Sequence, residues 1–586
     1  MKVNNIMKTM VVAAVSFIGL TSCNDFLTIT PTDKIIGEEF WKTKDDVDRM
    51  VTGAYSNMLS SGVQRRAIIW GAFRSDELVK NTNFTSTDLD NISAVNLLPT
   101  NGYNSWGDFY SVINRCNIVL NHAKDVLAED PEFSEGDYNT VCGQMLALRS
   151  LCYFYLVRSF RDVPYTTKSY ESDDDLEVLP QLCPDSVLQY CINDLEIAEQ
   201  YVLKTGAYGK GNWRNVGYFT RDAVDALLAD IYLWRASMTK NAADYQKCVE
   251  YCDKIIQAKD AYYKQYNNTS VSGDKSDIYH LYSWPNANLT IFGHNDGNSR
   301  ESILEWQYDG ISNWNWGIEN LYYMTGDKDN HKSYGEVQAS SIFNVVDANA
   351  NNDNGQKVYH SKNDYRFWNV CYEVNSEEAK ALYIKKMLDE YNIVSTTNTV
   401  GMPRIPYRGF NDFRQNWIVY RLTDVMLMKA EALVQLCTSD DDENLKKAFN
   451  LVQAVNKRSM TITASDTLKI NDFKTIGEME TLVLAERERE LCFEGKRWFD
   501  LVRYSYRHMD GVDIKTKLAD TDSWPALYKP MVKLITRKFD GGGDAVSYKM
   551  KSEPYLYFPI QRSEINVNPL LKQNPVWFDE ETINKN

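Results

Sequence analysis

The sequence predicts a mainly α protein, a scaffold of helix pairs carrying long irregular loops and a few short strands. Three observations predict it. Apolar residues recur at helical spacing in runs that come two by two. Short polar turns separate the paired runs, and small residues, chiefly alanine, line them. Between the halves, from about 262 to 364, the chain turns to Asn, Gly, Ser and aromatics with few periodic runs.

Taken in order, Met145, Leu148, Cys152 and Tyr155 fall at i, i+3, i+7 and i+10, one face of a helix. Over 220–234 the stripe is Ala223, Ala226, Leu227, Ile231 and Trp234, with Thr220 placed to act as N-cap. A partner helix follows over 245–256, after the polar turn 239–244. The pair recurs: Val425, Met428, Ala432 and Leu436 form one face, and Ala448, Leu451, Val452 and Val455 its partner, across the acidic turn 439–443. Such units resemble tetratricopeptide repeats, without the full consensus of about 34 residues. A structureless loop of the middle region's size is improbable inside a compact domain. Residues 262–364 therefore read as functional loops with short strands such as 303–308.

Composition narrows the function. Hydrophobic residues at 44% and charged residues at 25% describe a folded globular chain rather than a disordered one. A net charge of −16 argues against nucleic acid and against an anionic membrane bound through a basic surface, since both need Lys and Arg. Aromatics are in surplus, with 14 Trp and 37 Tyr, and Trp284, Trp306, Trp314 and Trp316 crowd into 281–330.

Catalytic motifs are missing. The six histidines have no metal-ligand spacing, and no HExxH, GxSxG or strand-borne GxGxxG occurs. The stretch 206–211, GAYGKG, is followed by Asn212 and Trp213 where a phosphate loop needs Lys and Ser/Thr, so it reads as a turn. Residues 347–358 begin like a calcium loop but carry Asn352 and Val358 where Gly and Glu are required. No cofactor is expected; a structural calcium ion is possible but not indicated. The alternating charges of 486–490 read as helix ion pairs rather than a glycosidase carboxylate pair.

The N-terminus supplies an address. Lys2 and Lys8 precede an apolar stretch, 10–20, too short to span a bilayer but suited to a secretory signal. It ends in Leu20-Thr21-Ser22-Cys23, which resembles a bacterial lipobox with Cys23 as the acylated first residue of the mature chain. The other ten cysteines show no CxxC and mostly sit inside apolar helical patterns, as small buried hydrophobes, although an exported chain could pair some.

The motifs of the second half carry a family resemblance. Residues 485–503, AERERELCFEGKRWFDLVR, and 420–432, YRLTDVMLMKAEA, resemble signatures of the SusD/RagB outer-membrane lipoproteins of Bacteroidetes. So do 558–569, FPIQRSEINVNP, with QNP at 573–575, NDYRF at 363–367, LRSLCYF at 148–154 leading to RDVP at 161–164, WGDFY at 106–110 with Asn114 and Asn117, and CNDFL at 23–27. The resemblance spans essentially the whole mature chain. It implies the SusD-like α fold, and three segments: a signal peptide, 1–22; a SusD-like N-terminal helical region, 23–240; and a RagB/SusD C-terminal region, 241–586, which carries the ligand loops and forms one compact unit with the second. It also implies a non-catalytic, surface-exposed, lipid-anchored protein of the outer membrane. Such a protein captures glycan and delivers it to a SusC-like TonB-dependent transporter; the alternative is a peptide-binding lid of the RagB type.

Ligand contacts in this family come from the loop before the Trp106-like motif and from loops in the middle of the chain. Those correspond here to Arg74, Asp76, Glu77, Asn81, Asn83 and Phe84, and to Trp284, Trp314, Trp316, Tyr322 and Tyr323. Asp76 and Glu77 are equally suited to capping a helix, and Trp306, alternating with polar neighbours, reads as core. Trp314 and Trp316 sit two apart, so in an extended loop they share a direction. Aromatic rings offer flat apolar area to sugar C–H faces, while Asn, Asp, Glu and Arg serve the hydroxyl rim. In the signature motifs, Arg489, Glu494, Arg497 and Asp500 read as buried or interhelical charge pairs, and Trp498 and Phe499 as core.

Overall fold

Thr220 opens a helix as its position suggests, but its hydroxyl turns to the Asn215 carbonyl (3.3 Å) instead of capping. The computed structural model describes residues 40–172, 176–266, 278–282, 287–293, 297–322, 335–343, 357–360, 363–376, 379–384, 386–387, 414–460, 467–539 and 541–577. Its principal helices are α1 (Lys44–Met58), α2 (Ser61–Ile68), α3 (Gly107–Glu129), α4 (Glu135–Phe160), α5 (Pro184–Tyr201), α6 (Arg221–Thr239) and α7 (Ala242–Tyr266). They continue with α8 (Trp316–Tyr322), α9 (Leu422–Gln435), α10 (Glu443–Ser459), α11 (Ile476–Leu491), α12 (Arg497–His508) and α13 (Lys529–Thr536). Beside a two-residue pair, Val163–Pro164 with Gln181–Leu182, the strands are β1 (Leu78–Lys80), β2 (Ser302–Trp306), β3 (Val337–Ala339), β4 (Cys371–Ser376), β5 (Ala379–Ile384) and β6 (Trp417–Arg421).

Neighbouring helices pack as the periodicity requires: α3 on α4, α4 on α5, α6 on α7, and α9 on α10 and α11. The halves meet where α7 lies against α9. Ala223, Ala226 and Ala229 of α6, and Ala430 and Ala432 of α9, are fully buried. Small side chains at a crossing let backbones approach and ridges interlock. Helix α4 is long and apolar enough to cross a membrane, but its apolar window is buried inside the protein. One apolar cluster runs from Trp41 to Trp577.

The strands staple distant segments. β1 pairs antiparallel with β3, Leu78 opposite Ala339, and β2 with β6, Trp306 opposite Trp417. Buried charge does the rest. All five residues of 486–490 are buried; Glu486 and Arg489 form an i,i+3 pair of the expected kind along the helix, but the other partners lie off it, which corrects the reading of the run as pairs within one helix. Glu490 accepts from Arg366 and Arg421 and pairs with Arg458, Arg487 reaches Asp424 and Asp500, and Glu494 accepts from Arg421 and Lys386. These link the NDYRF, YRLTD and ERERE motifs in one network. Gly495, at φ +69°, lets the turn after α11 press on Gly71, where a Cβ would stand 1.8 Å from the Gly495 carbonyl oxygen. All ten described cysteines are free, eight of them buried.

Candidate functional site

The middle loops are organised from Asp309 outward. Its Oδ1 accepts from the backbone N–H groups of Ile311, Ser312 and Asn313, each at 2.8 Å. Those three bonds hold Asp309 below its usual carboxylate range, against the opposing pull of desolvation. The tight turn thrusts Ile311 into solvent, 83% exposed, and Trp314 Nε1 donates back to the Ile311 carbonyl at 3.1 Å. Asn315 is buried and caps α8: its Oδ1 accepts from Ile318 N (3.0 Å) while its amide donates to the Gln415 carbonyl. Gly317 lets α8 press on α2, where a Cβ would stand 2.6 Å from Gln64 Oε1.

Trp314, half-buried, and Trp316, 48% exposed, stack with ring centroids 6.0 Å apart and planes 28° from parallel. The extended backbone expected there is absent. Trp314 precedes α8 and Trp316 opens it, with Trp316 N donating to the Trp314 carbonyl, and that turn lays the rings side by side.

Next to this pair is a cleft of about 530 Å³ between α1, the 213–219 turn, β2 and Asn313. Tyr55, Trp213, Tyr218, Trp306 and Tyr308 are among the aromatics lining it. Tyr55 and Tyr218 stack at 4.6 Å, and Trp213, 40% exposed, meets Tyr218 edge-on. Asn416 donates to Glu305 (2.9 Å) and Gln307 (3.0 Å), giving the cleft a hydrogen-bonded polar floor. Burial raises the Glu305 carboxyl above its ordinary value. Neither Trp213 nor Tyr218 was singled out from the sequence. The surplus of Trp and Tyr was the available signal, but their distance of 101 and 96 residues from Trp314 hid the connection.

The loop before Trp106 differs from expectation. Arg74, Asp76, Glu77 and Asn81 are all buried, which corrects their reading as ligand contacts. Arg74 donates to the Leu556 carbonyl (2.7 Å) and stacks 4.2 Å from the Trp498 ring; burial draws its pKa down to about 9. Desolvation opposes ionisation of Asp76, but Arg497 and Arg537 outweigh it and hold the carboxyl far below its usual range. Glu77, accepting from Phe493 N, is pushed well up by burial. Neither carboxylate caps a helix. Tyr322 is likewise core, its hydroxyl bonded to the Phe493 carbonyl at 3.0 Å. Of the six residues expected to contact ligand in this loop only Asn83 is exposed, and Phe84 is half-buried against the core. Trp284, Tyr323, Cys23 and most of the calcium-like loop 347–358 lie outside the described residues.

The structure nevertheless joins the two regions. Asn81 N donates to the Glu336 carbonyl (3.0 Å) and Glu336 N to that of Asn320 (3.0 Å), one turn from Trp316. Arg65 clasps the Glu336 carboxylate at 2.7 and 2.6 Å and donates to the Tyr103 hydroxyl (2.8 Å), a half-buried polar set the motifs did not signal. Chemically, the face offers flat rings and amide groups. The carboxylates of 486–494 are sealed in ion pairs, and no cluster of three metal-capable side chains occurs among the described residues.

Comparison with known proteins fits this architecture. A family model described as "SusD family" matches residues 300–577, and one described as "Starch-binding associating with outer membrane" matches 25–233. SusD-like protein P38 of Formosa agariphila is 24% identical over 536 residues, covering 88% of this chain and 94% of its own. A SusD-like protein of Bacteroides ovatus is 21% identical, covering 97% and 98%. Among solved structures, a SusD superfamily protein of Bacteroides thetaiotaomicron superposes with a TM-score of 0.62 at 20% identity, covering 92% of this chain and 99% of that one. B. fragilis NanU does so with a TM-score of 0.61 at 17% identity, covering 94% and 100%. With both halves matched in order and the helical scaffold shared, the chain belongs to the SusD/RagB family.

Proposed function

We propose that this protein is a non-catalytic glycan receptor of the outer-membrane surface, tethered through lipid at Cys23, which passes oligosaccharide to a SusC-like TonB-dependent transporter. The observation that carries the reading is the solvent-facing stack of Trp314 on Trp316 beside an aromatic cleft. Stacked rings held by local hydrogen bonds lose little side-chain freedom when a sugar C–H face settles on them, and the nearby amides suit hydroxyls. Family membership supports uptake over catalysis, and the starch-binding description of the N-terminal family model supports carbohydrate as ligand. The domain reading follows the same lines: 1–22 is removed, and 23–240 and 241–586 act as one unit. Affinity electrophoresis of the mature protein through gels containing single polysaccharides tests the reading, with a peptide library as the opposing arm. Retardation by a glycan supports it; binding of peptides with no glycan retardation overturns it.

A further inference from the structure

A second cavity, of about 320 Å³, opens beside the aromatic cleft, and the two share Asn298 as a lining residue. The 205–219 segment lines both, contributing Asn215 and Val216 to one and Trp213 and Tyr218 to the other. Asn298 sits at φ +56° after Gly297 at φ +112°, its N–H bonded to the Glu305 carboxylate at 2.8 Å, so the junction is a tied-down turn.

The walls of this cavity are tyrosines. Tyr262 and Tyr266 lie 4.8 Å apart, and the Tyr263 ring stacks on His280 at 3.9 Å. All are half-buried, as is Tyr282. The rim is cationic. The Arg300 guanidinium lies 3.9 Å from the Tyr282 centroid and 5.3 Å from that of Tyr263, and its Nε donates to the His280 carbonyl at 2.8 Å. Lys210 Nζ stands 5.7 Å from the Tyr266 ring. Among the described residues, neither Arg300 nor Lys210 takes part in an ion pair. The nearby carboxylates are already engaged: Glu301 with Arg458 at 3.0 Å, and Asp260 with Lys264 and His280, both at 2.7 Å. A chain of net charge −16 thus presents a positive rim around an aromatic pocket.

We propose that this cavity is a second subsite of the same binding face, selecting a carboxylated sugar unit of a glycan that lies across both cavities. The inference rests on the glycan reading above. With Nε committed to His280, the two terminal nitrogens of Arg300 match the two oxygens of a uronate carboxylate. The stacked tyrosines hold the guanidinium in place and offer a face to the sugar ring.

The test is affinity electrophoresis of the mature protein in gels containing polygalacturonate or alginate, against neutral pullulan and galactan, with titration calorimetry on oligosaccharides of the retarding polymer. The uronate polymers are expected to retard the wild type more strongly, and less as salt rises. Arg300→Ala with Lys210→Ala is expected to weaken uronate binding roughly tenfold or more, leaving neutral-glycan retardation and melting temperature unchanged, as both residues are exposed. Equal retardation by neutral and uronate polymers, or an unaffected double variant, overturns this inference and leaves the glycan reading standing. Retardation by carrageenan alone overturns the carboxylate in favour of sulfate. Failure of every glycan overturns both.

Discussion

Arg497 donates to both oxygens of Asp76, at 2.9 and 3.1 Å, across 421 residues of chain. Neither side chain is accessible, and Arg537 binds the same carboxylate. The pair ties the loop before the Trp106 motif to the start of α12. Asp76→Ala leaves two buried guanidiniums to share the Glu488 carboxylate, and breaking such a pair costs about 3–5 kcal/mol. A large fall in melting temperature is expected, with unchanged glycan affinity for the protein that remains folded. A stable variant with lost binding would return Asp76 to the ligand site.

Trp314→Ala with Trp316→Ala removes the exposed stack while leaving the Asp309 turn and the Asn315 cap in place. Glycan binding is expected to fall at least tenfold, since an aromatic contact of this kind contributes on the order of 1–3 kcal/mol. The melting temperature should change little. Calorimetry on the glycan that retards the wild type checks this, and unaltered affinity would dismiss the platform.

Tyr322→Phe separates core from ligand within the same helix. It removes one buried hydrogen bond, to the Phe493 carbonyl, at a cost of about 1 kcal/mol. Denaturant unfolding should show that loss and calorimetry should show none.

Asp225 on α6 is buried, and desolvation first, then the neighbouring Glu199, pushes its pKa up to about 8. A carboxyl raised in the folded state binds a proton that the unfolded chain has released. Its contribution is therefore fully present below about pH 4 and is lost as pH rises towards 8. Asp225→Asn removes that dependence. Thermal melts should show the variant more stable than wild type near pH 8, with the gap closing towards pH 4; parallel curves would contradict the assignment.

If the proposed acyl chains on Cys23 rather than surface charge provide the tether, Cys23→Ala should move the protein from the detergent phase to the aqueous phase on Triton partitioning. Retention in the detergent phase would require another anchor.

The helix pairs were legible because a 3.6-residue period records which face is buried. The stripes of α6 and α9 encode their own packing, and alanine at the crossing encodes close approach. The C-terminal motifs were legible as buried charge, but not their wiring. Nothing local in ERERE says that Glu490 meets Arg366, Arg421 and Arg458. The loop residues misled for the same reason. Arg74, Asp76 and Glu77 look like an exposed polar turn in sequence, and their partners arrive from 493–556.

The sequence by itself determined the helical scaffold, the family and the stretch where surplus tryptophan gathers, because periodicity, motif order and composition are properties of the chain. Only the tertiary structure decided which polar groups are sealed and which rings are free. It turned Trp314 and Trp316 into one stacked surface, sank Tyr322, and gathered Trp213 and Tyr218 into the cleft that Asn313 lines. Burial of a side chain depends on partners hundreds of residues away, and no local pattern carries that.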